Sequence, residues 1–197
     1  MISAILPAAG ESRRMGRPKM LLPWGNTTVL GQVISVYQQA GVEDILVITG
    51  GMREQVTEIA RQHGARSLYN ERYAGAEMLS SVQCGLRSLL REEEVQAALI
   101  GLGDQPQLQP ETIRQICQVF RKQRAGLIRP SFQMRRGHPW LVERSLWPAL
   151  LDLTDSQSPR DFLNQHAGQI LYVNVETPSI LADLDTPQDY HNARPDP

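Results

Sequence analysis

The segment Ala8-Ala9-Gly10-Glu11-Ser12-Arg13-Arg14-Met15-Gly16-Arg17-Pro18-Lys19 gathers two glycines, a serine, three arginines and a lysine. Small residues let backbone N–H groups approach an oxyanion, and a lysine on its flexible stem supplies a point charge for a phosphate oxygen. The segment follows Ser3 to Ala8, an apolar run that reads as a first strand. A glycine loop in that place is the usual seat of phosphates in α/β sheets. It is neither GxxxxGK[ST] nor GxGxxG, so a Walker A loop and a dinucleotide fingerprint are both absent. Lys19 suits the α-phosphate of a nucleoside triphosphate and its developing charge, and Arg13 the β- and γ-phosphates, while Arg14 and Arg17 read as solvated. On residue types alone, a solvated basic loop accounts for the segment nearly as well.

Carboxylates form the second group. Asp104 follows the apolar run Ala97 to Leu102, and ligands of open α/β sheets sit beyond the carboxyl ends of strands. A helix cap or turn is the competing account, because Pro106 and a helix near Glu111 follow. Asp183 and Asp185 are two apart, so an extended segment would put them on one face. Thr186-Pro187-Gln188-Asp189 has the hydroxyl, proline and carboxylate of a helix N-terminus, which would fix Asp185 at the junction. Mg²⁺ takes hard oxygens, often from one or two carboxylates with phosphates and water completing the set. Ser80 and Ser81 open a helix, where hydroxyls and free N–H groups suit a base edge or an anion. In Arg135-Arg136-Gly137-His138-Pro139, a guanidinium and an imidazole flank a glycine that allows close backbone approach. A tight turn with solvated arginines is the plainer reading of that stretch.

The elements that must position these residues alternate. Thr28 to Ala40 reads as a helix with apolar Val29, Val33, Val36 and Tyr37 and a Gly41 cap. Asp44 to Thr49 is a nearly all-apolar strand, of the kind buried in parallel sheets. Helices about Arg53–His63, Leu79–Leu90 and Glu111–Lys122 alternate with strands near 65–68 and 97–102. This is the pattern of βαβ units. Beyond Pro130 it loosens into two short helices, Ser145–Leu151 and Arg160–Gln165, and a strand at Ile170–Asn174. The expected fold is a three-layer α/β, Rossmann-like arrangement with a mostly parallel central sheet, in one domain over residues 1–197. Trp24, Trp140 and Trp147 read as packing residues, Cys84 and Cys117 as small buried ones, and His63, His166 and His191 as surface residues.

Composition narrows the partners. The 197 residues are 41% hydrophobic and 21% charged, with net charge −1. A near-neutral chain lacks the footprint of a nucleic-acid or membrane-surface binder, which points to a small substrate. No apolar run approaches the ~20 residues of a membrane-spanning helix. The start has no basic n-region, so a cytoplasmic location is expected. The two cysteines form no CxxC pair.

Leu6-Pro7-Ala8-Ala9-Gly10-Glu11-Ser12-Arg13-Arg14-Met15-Gly16-Arg17-Pro18-Lys19 resembles the nucleotide-binding signature of molybdenum cofactor nucleotidyltransferases, roughly Leu-Ala-Ala/Gly-Gly-x-Ser-x-Arg-Met-Gly-x-x-Lys. The likeness continues through Leu21-Leu22-Pro23, Asn70-x-x-Tyr73-x-x-x-x-Met78-Leu79-Ser80-Ser81-Val82, Gly103-Asp104-Gln105-Pro106, Arg136-Gly137-His138-Pro139 and Asp183-Leu184-Asp185-Thr186-Pro187. It departs at Pro7 and at Ala76-Glu77. The motifs span nearly the whole chain and look most like the cytidylyltransferases of that family. The resemblance implies transfer of CMP from CTP to the terminal phosphate of molybdopterin or molybdenum-bound molybdopterin. It also implies Mg²⁺ held by Asp104 and Asp185, with Asp183 a weaker ligand. Lys19 and Arg13 become the catalytic residues. Ala8, Ala9, Gly10, Ser12, Lys19, Ser80, Ser81 and Asp104 bind the nucleotide, and Arg136, Gly137 and His138 bind the acceptor. Alanine at position 9 accompanies cytosine use, since its methyl narrows the room for a purine. A molybdoenzyme maturation factor is a further partner the resemblance allows. Guanylyl transfer, another phosphorylated acceptor, or a non-catalytic cofactor carrier are the alternatives.

Overall fold

The structure is a computed structural model that describes residues 1–10, 12–74 and 78–195, with the side chain of Arg13 also outside the description. In chain order the elements begin with strand β1 (Ile2–Ala8), the short strands β2 (Pro23–Trp24) and β3 (Thr27–Thr28), and helix α1 (Val29–Gln39). Then come β4 (Asp44–Thr49), α2 (Arg53–Gln62), β5 (Arg66–Tyr69), α3 (Met78–Leu89), β6 (Ala97–Ile100) and α4 (Pro110–Gln123). The rest is β7 (Leu127–Phe132), β8 (Arg135–Arg136), β9 (Trp140–Glu143), α5 (Trp147–Leu151), α6 (Pro159–Gln165), β10 (Ile170–Asn174) and α7 (Pro187–Ala193).

The main sheet runs β10-β7-β9-β6-β1-β4-β5, with β8 paired to β7. Neighbours are parallel from β6 through β1 and β4 to β5, and again between β7 and β10. β9 is antiparallel to both β6 and β7. The mostly parallel sheet is therefore as expected. The antiparallel β9 lies where the sequence pattern loosens, since Trp-Leu-Val-Glu is too short to carry a period.

Strand alternation feeds two cores. Ala4, Leu6 and Ala8 of β1, Ile45 and Val47 of β4, and Ala97 and Leu99 of β6 pack with α1, α2 and α4. The intervening Ile5, Leu46, Ile48, Ala98 and Ile100 pack on the other face with α3, α5 and α6. Both faces are covered, which is why these strands read as unbroken apolar runs. Thr28 starts α1 by accepting from Gly31 N at 3.1 Å, and Gly41 ends it at φ +83°. No described helix is long and apolar enough to cross a membrane.

All three tryptophans are buried, and so is Cys117, while Cys84 is only half-buried. Two histidines depart from the surface expectation. His63 is half-buried, its ring 3.1 Å from Thr27 Oγ1 and 2.9 Å from Ile59 O. His166 lies against the Phe162 ring with centroids 4.4 Å apart. Each ring sits at a helix end with Nδ1 2.9 Å from the carbonyl four residues before it.

Candidate active site

Strand order reverses direction at β1. The chain moves outward through β4 and β5, then returns to the other side of β1 as β6. Such a switch point opens a crevice at the carboxyl ends of the two strands. The glycine loop leaves β1 on one side of it, and Gly103-Asp104 leaves β6 on the other. Gly103 is required there: a Cβ would come within 2.9 Å of the Pro7 carbonyl. A Cβ on Gly10 would meet nothing within 4 Å, so the protein's own packing leaves the space in front of Gly10 open.

Beyond Gly10 the loop folds back on itself. Ser12 takes a left-handed φ of 53° and its carbonyl accepts from Met15 N at 3.0 Å. Its hydroxyl accepts from Lys19 N at 3.1 Å. Ser12 thereby fixes the backbone from which the Lys19 side chain departs.

The ammonium of Lys19 donates to the Asp104 carboxylate and to the Leu184 carbonyl at 3.1 Å. Asp185 Oδ1 stands 3.8 Å from the same nitrogen. The Lys19 and Asp104 side chains are only 15% and 12% exposed, so their attraction is weakly screened. Asp104 O also accepts from Leu184 N at 3.1 Å, tying the two acidic segments together. Partial desolvation raises the Asp183 pKa, and the neighbouring Asp104 and Asp185 charges raise it further.

The segment 183–185 is irregular rather than a strand, so the shared-face argument for Asp183 and Asp185 does not carry. Its position is set by the start of α7. Thr186 and Asp189 form a capping box: Thr186 Oγ1 accepts from Asp189 N, and Asp189 Oδ2 accepts from Thr186 N at 2.7 Å. Asp189 Oδ2 also takes Asp185 N at 3.3 Å. A small core of Met15, Trp24, Val29, Leu184 and Tyr190 joins the glycine loop to this segment, and Tyr190 OH donates to Pro23 O at 2.6 Å.

Arg14 is exposed, as expected, but it is also paired. Its guanidinium grips Asp185 through both nitrogens, at 2.8 and 3.1 Å. The signal was present in the sequence, because Arg14 is the arginine directly before Met15-Gly16 in the quoted signature. Arg17 is exposed, as expected. The Arg13 side chain, expected on the β- and γ-phosphates, lies outside the described residues, as do Ala76 and Glu77.

A pocket of about 210 Å³ lies over this arrangement, walled by Ala9, Gly10, Lys19, Tyr73, Ser81 and Asp104, with Pro7, Met20, Met78 and Leu102 as apolar lining. Ser80 is buried beside it. Asn70 Nδ2 donates to Ser80 Oγ at 2.9 Å and to Ser81 Oγ at 3.2 Å. Both serines lie within the first turn of α3, not before it. Ala8 and Ser12 are outside the lining and act on its shape.

Asp104, Asp185 and the Leu184 carbonyl present oxygens to one ammonium. Hard oxygens meeting at a cation are a donor set that fits Mg²⁺. Among the described residues, no three His, Cys, Asp or Glu side chains could hold a metal by themselves. Further oxygens would come from phosphate and water.

Arg136 and His138 line a second pocket of about 560 Å³, reached across Met78, which borders both. Burial, with the nearby Arg129 charge, pushes the His138 pKa down to about 4, so the imidazole is neutral at pH 7. Arg136 lies over the Tyr172 ring, 5.2 Å from its centroid. Gly137 behaves differently from expectation. The backbone it lets approach is the protein's own, since a Cβ would come within 2.3 Å of Ile180 O. Its carbonyl accepts from Arg129 Nε at 3.2 Å.

Comparison with known proteins agrees with the fold. The molybdenum cofactor cytidylyltransferase of Escherichia coli (strain K12) is 29% identical over 194 residues, covering 98% of this chain and 95% of that protein. The nicotine blue oxidoreductase of Paenarthrobacter nicotinovorans is 26% identical over 193 residues, covering 94% and 92%. The crystal structure of Rv0371c from Mycobacterium tuberculosis H37Rv superposes with a TM-score of 0.81 at 28% identity, covering 97% of this chain and 96% of that one; a complex of that protein with manganese gives 0.73 at the same identity and coverage. The second relative's name shows that overall likeness does not by itself fix the chemistry. The domain family described as MobA-like NTP transferase matches residues 4–170, and the chain belongs to that nucleotidyltransferase family.

Proposed function

We propose that the chain, acting as one domain over residues 1–197, transfers CMP from CTP to the terminal phosphate of molybdopterin or molybdenum-bound molybdopterin and releases pyrophosphate. The observation that carries this reading is the Lys19 ammonium at the β1–β6 crevice, against Asp104 and Asp185 and beside the open face of Gly10. The similarity to a molybdenum cofactor cytidylyltransferase supplies the acceptor.

Displacement at the α-phosphorus needs charge neutralisation and in-line positioning more than covalent help. A phosphate oxygen of the acceptor forms the new bond to the α-phosphorus. The bond to the β-phosphate bridging oxygen breaks, and pyrophosphate leaves with that electron pair. The acceptor phosphate is largely ionised near neutral pH, so no strong general base is required. Lys19 holds the α-phosphate oxygen and gains strength as charge develops there. Arg13 is assigned to the β- and γ-phosphates, and Arg14, next in sequence, holds Asp185. Ser81 and Ala9 border the base-side space, and Arg136 and His138 face the acceptor. Asp104 and Asp185 would hold Mg²⁺, and a solved complex of Rv0371c with manganese supports a divalent cation in this reading. When bound, the ion supplies Lewis-acid neutralisation of phosphate oxygens. Onward delivery to a molybdoenzyme maturation factor belongs to the same reading.

The test is a nucleotide panel with purified molybdopterin, reading pyrophosphate and dinucleotide together. CTP should exceed GTP in kcat/KM by about tenfold, the scale of size selection in an apolar pocket. Equal use of the two removes the cytosine assignment. Binding of the cofactor with no pyrophosphate would turn the chain into a carrier. Hydride chemistry, raised by the nicotine blue oxidoreductase likeness, predicts no pyrophosphate with any nucleotide.

A further inference from the structure

The 560 Å³ pocket brings three guanidiniums to an otherwise largely apolar wall. Arg129 enters from β7, Arg136 from β8 and Arg160 from α6, with Trp140, Leu163 and Asn164 among its walls. No carboxylate pairs with any of these three guanidiniums among the described residues. The nearest acid by sequence is Asp161, and its Oδ2 is taken by the N–H and hydroxyl of Ser158, at 2.7 and 2.8 Å. Arg129 spends one N–H on the Gly137 carbonyl and keeps the rest of its fork. Burial lowers its pKa, and the Arg136 and Arg160 charges lower it further, so the three repel one another in the free protein.

Two buried donors next to the arginines are themselves unpartnered. Trp140 is fully buried, yet its Nε1–H has no acceptor, and the buried hydroxyl of Tyr172 under Arg136 is likewise unpartnered. Trp147 shows the ordinary solution: its Nε1 donates to Val142 O at 3.2 Å. A buried donor left unpaired costs free energy. Three guanidiniums in one cavity, with no carboxylate partner among the described residues, ask for a ligand made of acceptors. The walls of Met78, Pro159, Leu163 and the Trp140 ring ask for an apolar or flat body behind it.

We infer that Arg129, Arg136 and Arg160 form an oxyanion cradle for a phosphate-type group on the acceptor, and that Arg160 is a specificity-determining residue for that substrate. Only the identity of the ligand as acceptor rests on the transferase reading; the cradle stands on the pocket itself. Arg160 is exposed and caps nothing, so its replacement leaves the fold intact.

The probe is inorganic phosphate, followed by the indole N–H resonances of the three tryptophans, with Trp140→Phe used to assign one of them. Phosphate should shift the Trp140 resonance saturably. Arg160→Gln should raise the midpoint about tenfold, the scale of one charged hydrogen bond, and Lys19→Ala should leave it in place. With molybdopterin and CTP, Arg160→Gln should raise the acceptor KM by a similar factor while the CTP KM stays unchanged. No saturable shift, an unchanged midpoint in Arg160→Gln, or loss of the shift in Lys19→Ala would overturn the cradle. A wild-type protein that transfers nothing yet titrates as described removes the transferase reading and keeps the cradle. Normal transfer with an indifferent Arg160→Gln does the reverse.

Discussion

The two pockets that meet at Met78 solve opposite electrostatic problems. Around Lys19 the described cations have carboxylate partners: the ammonium with Asp104 and Asp185, and Arg14 with Asp185, while Asp183 adds a further carboxylate beside them. Around Trp140 three guanidiniums line the wall with no carboxylate paired to them among the described residues. The first is balanced between Lys19, Arg14 and the carboxylates they touch, and suits a ligand that brings both signs, a polyphosphate with its cation. The second is unbalanced and suits a bare anion. The glycines differ in the same sense. Gly10 faces open space beside Lys19, and Gly137 is pressed against Ile180 backbone beside the second pocket.

The largest effect should come from disturbing the balanced side. Asp104→Asn and Asp185→Asn should fold, since their thermal unfolding depends on the two cores away from the crevice. Each should lose about a hundredfold or more in turnover, in the range of removing one preorganised electrostatic group. Asparagine cannot balance Lys19 or serve as well as a cation ligand. Near-normal steady-state rates in both variants would end the assignment of that pocket to chemistry.

A smaller effect separates the glycines. Gly137→Ala must push against the Ile180 carbonyl and should cost about 1–3 kcal/mol in urea unfolding, as overpacking does. Gly10→Ala should stay within about 0.5 kcal/mol of wild type and instead weaken nucleotide binding. Equal stabilities would show that the crowding at Gly137 relaxes freely.

The smallest effect concerns His138. Its folded pKa of about 4 lies below the ordinary 6.5, so the unfolded chain binds the proton more readily between those values. The stability it contributes is complete above about pH 6.5 and declines as pH falls toward 4. Wild type should lose about 2 kcal/mol more than His138→Gln between pH 8 and 5 in urea titrations. Parallel losses in the two proteins would place the imidazole in a more solvated setting. The acceptor KM should show no step from this group between pH 6 and 8.

Much of the frame was legible because its signals are local. The strands at 44–49 and 170–174, the Pro110 helix start, the Gly41 cap and the Thr186–Asp189 box depend on residues within a few positions of one another. Lys19, Asp104 and Asp185 were legible as chemical types at the ends of strands and helices. The pairing of Arg14 was legible only through its place in the quoted signature, because charge content alone cannot separate a solvated arginine from a paired one; its partner lies 171 positions away. Arg129, Arg160 and Trp140 had no motif to announce them.

The sequence by itself determined which segments alternate as strand and helix, which loop follows the first strand, and which residue types could meet a phosphate. These follow from side-chain periodicity and from the φ preferences of glycine and proline, which act over a few residues. Only the tertiary structure decided that β9 runs antiparallel between β6 and β7, bringing Trp140 from one strand beside Arg129 and Arg136 from two others and Arg160 from a helix. It alone decided that Gly137 yields to Ile180 and not to a ligand. Such meetings are set by which distant surfaces bury together, and burial of apolar area carries no record in the local sequence of the polar groups it brings face to face.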